Sequence, residues 1–369
     1  MRHVRVLRQA SGRCFEVKTR AAVLEQVGQP LVLAELEIPA LKAGQVLVEI
    51  ALTGVCHTQL LECRGYRGPD PFLPHCLGHE GSGTVLQVGP GVARCRPGDR
   101  VALSWIKGSG ADVPGTVYAW DGRSVNAGGV TTFARHAVVS ENRVTVLPSD
   151  FDLRDAALLG CAVATGVGAV LNTAGVRPGQ SVAVFGTGGV GLCAVAGASL
   201  AGAAPLVAVD VSPERLAVAR QLGASHTVLA GDREPVAALL ELCPGGLDVA
   251  VEASGRPEVM VQALRAVRRQ GGVAVVVGNA HHGETVALDP RELNQGKRLL
   301  GTWGGDNDPD RDFPRYCRLI QSGRLNLAPL RSEPFRLDDV NQALAALEQR
   351  LVARPLIDMN WTEQRSSSR

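Results

Sequence analysis

The stretch Ser181-Val-Ala-Val-Phe-Gly-Thr-Gly-Gly-Val-Gly191 decides how the second half of this chain folds. The apolar residues before Gly186 predict a buried strand, and the small residues after Gly191 predict a helix. In such a turn the first glycine permits a tight bend, Gly188 lets the backbone approach a pyrophosphate, and Gly191 allows the helix to pack against the strand. The motif therefore predicts a dinucleotide site that also includes Gly189 and Val190.

The chain around this motif alternates between apolar runs and helical patterns. Alternation of this kind predicts a doubly wound parallel sheet, that is, an α/β fold. The predicted strands are 181–185, 206–210, 227–229, 247–252 and 273–278, and the clearest helices are 213–222 and 256–269.

Asp210 ends the second predicted strand, 19 residues after Gly191. A carboxylate at this place accepts hydrogen bonds from the adenosine ribose and repels a 2′-phosphate, so the sequence favours NAD over NADP. Arg215, one turn into the next helix, either touches the same ribose or is an ordinary solvated arginine.

The first half of the chain has a different texture. Between about residues 20 and 146, short β-branched runs are separated by glycine and proline turns, which predicts a mostly antiparallel β-domain. A length of 369 residues also favours two domains over one.

Composition restricts the class of partner and the compartment. With 38 basic and 36 acidic residues the net charge is +2, so no electrostatic footprint for nucleic acid is present. Nine irregularly spaced cysteines fit a reducing compartment, and we expect a cytoplasmic protein. Residues 1–20 lack the apolar core of a secretory signal and are predicted to be a flexible extension; residues 361–369 are predicted to be a polar tail.

Two uncharged stretches, residues 156–176 and 181–209, are long enough to span a membrane. Both are rich in glycine and alanine instead of leucine, and the second is explained by strand, turn, helix and strand. We predict no membrane segment.

Cys56, His79 and Cys161 each follow a glycine by one or two positions. Thiolate and imidazole are the ligands zinc prefers, and three of them leave one position open for an alcohol or aldehyde oxygen. A single cysteine or histidine is more often a simple core residue. The pattern of three beside a dinucleotide motif predicts a catalytic zinc site.

The phrases Gly-Val-Cys-His-Thr-Gln at 54–59, Leu-Gly-His-Glu-Gly at 77–81 and Leu-Gly-Cys at 159–161, followed by the glycine motif, resemble the zinc-dependent alcohol dehydrogenases of the medium-chain dehydrogenase/reductase superfamily. The resemblance covers about residues 21–360. It implies a mostly β, GroES-like catalytic domain made of residues 21–162 and 303–360. A Rossmann domain of residues 163–302 is inserted between the two segments.

The resemblance also implies roles for individual residues. Cys56, His79 and Cys161 become zinc ligands, Glu80 an acidic neighbour that can approach the metal, and Thr58 the hydroxyl that takes the substrate proton. His57 and Arg354 become contacts to the cofactor phosphates, although either fits an ordinary surface charge as well. The remaining cofactor contacts implied are Thr165 and Val190 at the nicotinamide and Val277 in the same set.

Three departures from the family pattern change the expectation. Residues 104–129 contain no cysteine, so we predict one zinc and no structural zinc site. Gln59 stands where many relatives have an aspartate that orients the ligand histidine; its carbonyl is expected to accept the imidazole N–H instead. Leu61 replaces the histidine that ends the proton relay in liver-type enzymes, so the relay must end in water or another group.

The predicted activity is hydride transfer between an alcohol, or its aldehyde or ketone, and NAD. A polyol or sugar-alcohol dehydrogenase of the same fold is an alternative, although such relatives usually have a carboxylate in place of Cys161. A zinc-free, reductase-like nucleotide-binding protein is another. Trp105 and Lys107 either line the substrate cleft and favour a polar or anionic substrate, or belong to a loop packed by its own aromatic residues. By analogy with the family we expect a dimer or tetramer.

Overall fold

The structure is a computed structural model that describes residues 17–361. Of the predicted N-terminal extension, residues 1–16 lie outside the described part, as do residues 362–369 of the predicted tail. Residues 17–20 are wrongly assigned to the extension, because they begin a strand that pairs with residues 35–38.

The described residues form eighteen strands and ten α-helices. The strands are β1 Val17–Leu24, β2 Val32–Ile38, β3 Gln45–Gly54, β4 His75–Cys76, β5 Glu80–Val88, β6 Arg100–Ser104, β7 Val117–Trp120, β8 Arg123–Asn126, β9 His136–Ser140, β10 Val144–Val146, β11 Val182–Phe185, β12 Leu206–Asp210, β13 His226–Leu229, β14 Val249–Glu252, β15 Val273–Val276, β16 Arg298–Gly301, β17 Phe335–Arg336 and β18 Leu356–Asp358. The helices are α1 His57–Arg64, α2 Leu153–Leu158, α3 Ala164–Gly168, α4 Gly189–Leu200, α5 Pro213–Gln221, α6 Pro235–Leu242, α7 Pro257–Ala266, α8 Pro290–Asn294, α9 Pro309–Gln321 and α10 Val340–Glu348. Short 3₁₀ turns occur at Glu141–Arg143, Ala328–Leu330 and Leu337–Asp339.

The second half folds into a six-stranded parallel sheet with the order β13-β12-β11-β14-β15-β16. Strands β11 and β14 are buried along their whole length because helices cover both faces, which explains their continuous apolar character. The strand order reverses beside β11, and ligands of such sheets bind at the carboxyl ends there. The predicted Rossmann fold is confirmed.

The first half forms two further sheets. One is a closed barrel with the order β1-β2-β7-β8-β4, and its β7–β8 hairpin occupies the cysteine-free stretch of residues 104–129. The other has the order β10-β6-β5-β3-β18-β17, with β9 also paired to β3. Strand β18 comes from the end of the chain and pairs with β3 from the beginning, Leu356 opposite Gly54. The C-terminal segment thus completes the sheet whose strand β3 leads directly to the candidate ligand Cys56.

One helical run, Leu153–Thr173, has the length and composition of a membrane span, and 83% of its most apolar window is buried inside the protein. The run is α2 and α3 joined and extended by two π-helical segments, Leu159–Val163 and Ala169–Thr173. Its apolar side chains belong to the same core cluster as those of α4 and β11. The second uncharged stretch forms the strand, helix and strand that its pattern predicts.

Gly166 lets helices α3 and α4 approach closely. A Cβ at this position would collide with the Val190 carbonyl oxygen and come within 2.6 Å of the Cys193 Cβ. We expect Gly166→Ala to lower the free energy of unfolding by about 1–3 kcal/mol, since neither backbone can move without disturbing the core. Urea denaturation measures this. Gly301→Ala is the matched control, because a Cβ there meets no atom within 4 Å, and equal losses in both variants would contradict the packing argument.

Candidate metal centre and dinucleotide groove

Three residues from distant parts of the chain converge on one point. Cys56 follows β3, His79 precedes β5, and Cys161 lies in the first π-helical segment. One ligand atom from each lies within 4.8 Å of the others, and both cysteines are buried. Two sulfurs and an imidazole at this spacing match the donor set of a zinc site with one open position.

The backbone around these residues is shaped for close approach. Cys56 is the N-cap of α1, where the N–H of Cys56 donates to Gln59 Oε1 at 2.8 Å. At Gly54 a Cβ would collide with the Glu80 carboxylate, and at Gly160 with the Leu103 carbonyl oxygen. Glycine is therefore required on both sides of the cluster. The π-helical segment that carries Cys161 is a type of distortion often found at functional sites.

The side chains of Cys56 and Cys161 are joined by a hydrogen bond. A hydrogen bond from Cys161 lowers the pKa of Cys56 well below its ordinary value, with further help from Arg354 and His79, although burial opposes the shift. The same hydrogen bond, together with burial, raises the pKa of Cys161. Of the two thiols Cys56 is thus the easier to ionise, and a divalent ion bound by both sulfurs would need both to be deprotonated.

His79 is held by Gln59, but not as the sequence predicted. Since Gln59 Oε1 already accepts the Cys56 N–H, the amide presents its Nε2 to His79 Nδ1, 2.5 Å away. In this metal-free arrangement the amide N–H donates to Nδ1, so metal binding through Nε2 requires the imidazole proton to move from Nε2 to Nδ1. Within residues 17–361, His79 Nε2 is buried with no hydrogen-bond partner, as expected of an atom that a metal would engage.

Glu80 and Arg354 form a buried ion pair behind the cluster. Arg354 Nε donates to Glu80 Oε1 at 2.8 Å, and the N–H of Ala162 donates to Oε2 at 3.0 Å. Burial raises the pKa of Glu80, and Arg354 opposes this rise. Arg354 is only 2% exposed and does not line the dinucleotide groove. In this structure its partner is Glu80 and not a phosphate position, which differs from the role implied by the resemblance.

Thr58 lies at the metal cluster. Its hydroxyl oxygen is 3.7 Å from the Cys56 Sγ, in the first turn of α1. Leu61, one turn further on, is 2% exposed and offers no polar group for a relay. The Thr58 hydroxyl is therefore placed to exchange a proton with a group bound at the cluster.

The groove at the carboxyl ends of β11 and β12 has a volume of about 520 Å³. Its walls include Gly186, Gly188, Asp210, Arg215 and His57. Gly186 has a φ of 84°, and a Cβ at Gly191 would collide with the Gly186 carbonyl oxygen. The glycine turn is thus the narrow cradle that a pyrophosphate requires.

Asp210 is buried, and its carboxylate is already hydrogen-bonded within the protein. Oδ2 accepts from the N–H of Thr187 at 2.5 Å, and Oδ1 accepts from the N–H of Ser212 at 3.0 Å. These bonds fix the carboxylate at the lip of the groove. Carboxylate oxygens have spare lone pairs, so a ribose hydroxyl can still donate to them.

The remaining predicted cofactor residues, Thr165, Gly189, Val190 and Val277, are not among those that line the groove. The Thr165 hydroxyl, four residues beyond Cys161, is buried and has no partner within residues 17–361. Val190 lies in the first turn of α4, against Gly166. Gly189 packs against the Arg354 side chain, with 2.9 Å between a Cβ there and Arg354 Cδ. The Val277 N–H donates to the Glu252 carbonyl at the end of β15.

Sequence reasoning missed several groove residues. Arg256, Asn279, His281 and Arg350 all line the cavity, and His281 stacks on Tyr66 with ring centroids 4.3 Å apart. These residues come from loops after β14, β15 and α10, where the sequence has no motif. Loop residues become neighbours only through the strand order, so no local signal identifies them.

The contacts of Trp105 and Lys107 do not support the polar role considered for these residues. Trp105 packs edge-on against Trp303 with centroids 5.0 Å apart, and Trp303 is 74% exposed. Lys107 Nζ is 2.7 Å from an Asp112 carboxylate oxygen, which neutralises its charge. The pairing removes the basis for expecting an anionic substrate.

Known proteins agree with this architecture. The family described as "Alcohol dehydrogenase GroES-like domain" matches residues 42–149, and "Zinc-binding dehydrogenase" matches residues 189–322. The chain is 35% identical over 354 residues to an S-(hydroxymethyl)glutathione dehydrogenase of Synechocystis sp., covering 89% of this chain and 96% of that protein. It is 32% identical over 368 residues to one of Escherichia coli, covering 92% of this chain and all of that protein.

Solved structures show the same fold. An alcohol dehydrogenase zinc-binding domain protein from Burkholderia ambifaria superimposes with a TM-score of 0.87 at 32% identity, covering 94% of this chain and all of the other. A benzyl alcohol dehydrogenase from Acinetobacter calcoaceticus gives 0.85 at 32% identity, covering 93% and 99%. The chain belongs to the zinc-dependent alcohol dehydrogenases of the medium-chain dehydrogenase/reductase superfamily. The predicted resemblance, fold and class of oxidoreductase are confirmed.

Proposed function

We propose that the protein interconverts a primary alcohol and its aldehyde with NAD as hydride acceptor and one catalytic zinc per chain. The observation that carries this proposal is the meeting of Cys56, His79 and Cys161 within 4.8 Å, with the Thr58 hydroxyl beside them. A zinc ion held by these three residues would supply Lewis acidity that lowers the pKa of an alcohol. The nicotinamide ring would supply the site that receives the hydride.

The residues of the chain then have defined tasks. The Thr58 hydroxyl accepts the alcohol proton and releases its own proton to water. Leu61 is buried and apolar, so it offers no proton acceptor on the core side. His57 follows the candidate metal ligand Cys56 in the chain and also lines the dinucleotide groove, so it adjoins both sites. Burial lowers the pKa of His57, so its imidazole is neutral at pH 7 and can accept a proton.

The groove supports NAD over NADP. Asp210 is fixed at the lip by two backbone N–H groups, and its charge would repel a 2′-phosphate. The unpartnered Thr165 hydroxyl provides a polar contact for the nicotinamide end, and Val190 and Val277 provide apolar walls there. We place the cofactor between these residues and the glycine turn.

The neighbourhood of the cluster supports an uncharged, bulky alcohol. Trp105 follows Ser104, whose hydroxyl donates to the Gly160 carbonyl beside Cys161, and Trp105 packs against Trp303, so we assign this aromatic pair to the substrate side of the cluster. A relative named benzyl alcohol dehydrogenase and relatives named S-(hydroxymethyl)glutathione dehydrogenase define the two substrate classes to test. We further propose a cytoplasmic homo-oligomer, a dimer or tetramer.

Purified protein tests the proposal directly. We expect about one zinc per chain by mass spectrometry, and reduction of NAD by benzyl alcohol or by formaldehyde with glutathione, followed at the absorbance of NADH. Turnover with sorbitol should be at least about a hundredfold lower, because the third ligand is a thiolate and the aromatic pair offers few polar partners.

Two outcomes would contradict the proposal. Two zinc ions per chain would mean that a structural site exists outside the cluster described here. A higher kcat/KM with NADP than with NAD would mean that Asp210 does not select the cofactor. Asp210→Ser should narrow the preference for NAD by about ten- to a hundredfold, the range expected for losing hydrogen bonds to a charged group.

A further inference from the structure

Arg350 stands at a position where the backbone favours glycine. Helix α10 ends at Glu348, the Arg350 N–H donates to the Leu347 carbonyl at 3.1 Å, and the Leu351 N–H donates to the Ala346 carbonyl at 2.9 Å. This pair of hydrogen bonds is the Schellman motif, whose left-handed residue is usually glycine. Arg350 has a φ of 64°.

A long side chain gains nothing locally from this conformation. Among residues 17–361, three other non-glycine residues have positive φ: Asp121, Gln270 and Asp306. Aspartate is tolerated there because its short side chain bonds to nearby backbone, whereas arginine has no such compensation. Strain of this kind collects at functional sites, and it is a reason to examine what the side chain faces.

Arg350 faces the dinucleotide groove. It lines the cavity together with Gly186, Gly188 and His57. His57 and Arg215 line the same cavity. His57 adjoins the metal cluster, and Arg215 lies on the adenosine side beyond Asp210. Arg350 therefore shares one cavity with the glycine turn and with residues from both ends of the groove.

Arg350 is exposed and has no carboxylate within ion-pair distance in the part of the chain described, residues 17–361. Arg256, in the same groove, is already paired with Glu258 at 2.6 Å. Two positively charged side chains, Arg350 and Arg215, thus face one cavity, and an anion placed between them would relieve their mutual repulsion.

We propose that Arg350 binds the pyrophosphate of the dinucleotide together with the glycine turn. This inference rests on the proposed function, since it needs a dinucleotide in the groove. The left-handed backbone at Arg350 holds an arginine at the wall of the groove, where glycine would relieve the backbone strain. Arg350 is a binding residue and takes no part in the hydride transfer.

Fluorescence titration with NADH, together with thermal unfolding, tests this role. We expect Arg350→Gly to weaken NADH binding about tenfold, in the range for hydrogen bonds to charged groups, and to reduce the salt dependence of binding. The same variant should raise the unfolding temperature of the free protein by about 1–3 °C, because glycine relieves the strain. Arg350→Lys should keep most of the affinity.

Gln270→Gly is the matched control, because Gln270 is exposed, has a φ of 55° and does not line the groove. It should raise the unfolding temperature similarly and leave NADH binding unchanged. Equal NADH affinity in wild type and Arg350→Gly would overturn the inference. Absence of NADH binding in the wild type would instead overturn the proposed function, so the two failures are distinguishable.

Discussion

Replacement of Cys161 by alanine is expected to abolish zinc binding and to lower kcat by at least about a thousandfold. The remaining pair, Cys56 and His79, supplies only two of the three donors that a catalytic zinc requires. NADH affinity should change by less than about threefold, because the groove is lined by other residues. Metal analysis, steady-state kinetics and NADH titration of the same preparation measure the three effects.

The matched control is Cys317→Ala. Cys317 is also a buried cysteine, but it lies in α9, away from the cluster. It should keep its zinc and most of its turnover. Retained turnover in Cys161→Ala, with zinc absent, would remove the metal from the mechanism, whereas loss of turnover in both variants would show only that buried cysteines are needed for folding.

Replacement of Gln59 by glutamate is expected to tighten zinc binding by about 10–100-fold, the range reported for groups that orient metal ligands. Two donors face the Gln59 side chain when His79 binds a metal through Nε2: the Cys56 N–H and the Nδ1–H that the imidazole must then carry. The amide oxygen faces the Cys56 N–H and the amide nitrogen, which cannot accept, faces Nδ1, so the amide satisfies only one of them. A carboxylate accepts both.

Competition with a chelating dye measures the zinc affinity of wild type and Gln59→Glu at constant pH. Gln45→Glu is the control, because Gln45 is another buried amide, in strand β3, whose oxygen accepts a backbone N–H, from Lys42 at 2.8 Å. Its zinc affinity should equal that of the wild type. Unchanged or weaker zinc binding in Gln59→Glu would show that the amide does not limit the site.

The parts of the fold that sequence predicts best are those with local causes. The strand before Gly186, the turn and helix α4 follow from residues adjacent in the chain, and all three form as predicted. The predicted strand 206–210 is observed with the same bounds as β12, because a run of buried apolar residues fills it and Asp210 ends it. Helix 256–269 is shorter, Pro257–Ala266, since proline fits only the first turn of a helix.

Partners that are distant in the chain escaped prediction. Arg354 lies 274 residues from Glu80, and nothing near either residue indicates their ion pair. The orientation of the Gln59 amide depends on a backbone N–H that becomes an unpaired donor only because α1 begins at His57. Arg350 was missed because its position depends on where α10 ends, and helix ends are the least certain part of any sequence prediction.

The pairing of β18 with β3 has a consequence for how the protein is made on the ribosome. The sheet of residues 182–301 contains all its own strands and can close before synthesis ends. Strand β3 can pair with β5 and β9 much earlier, but one edge of its residues 52–54 must wait for residues 356–358. The parallel sheet in the middle of the chain can therefore complete its strand pairing before the sheet that contains β3. During that interval an unpaired strand edge is exposed, and it is the stage of biogenesis most vulnerable to aggregation.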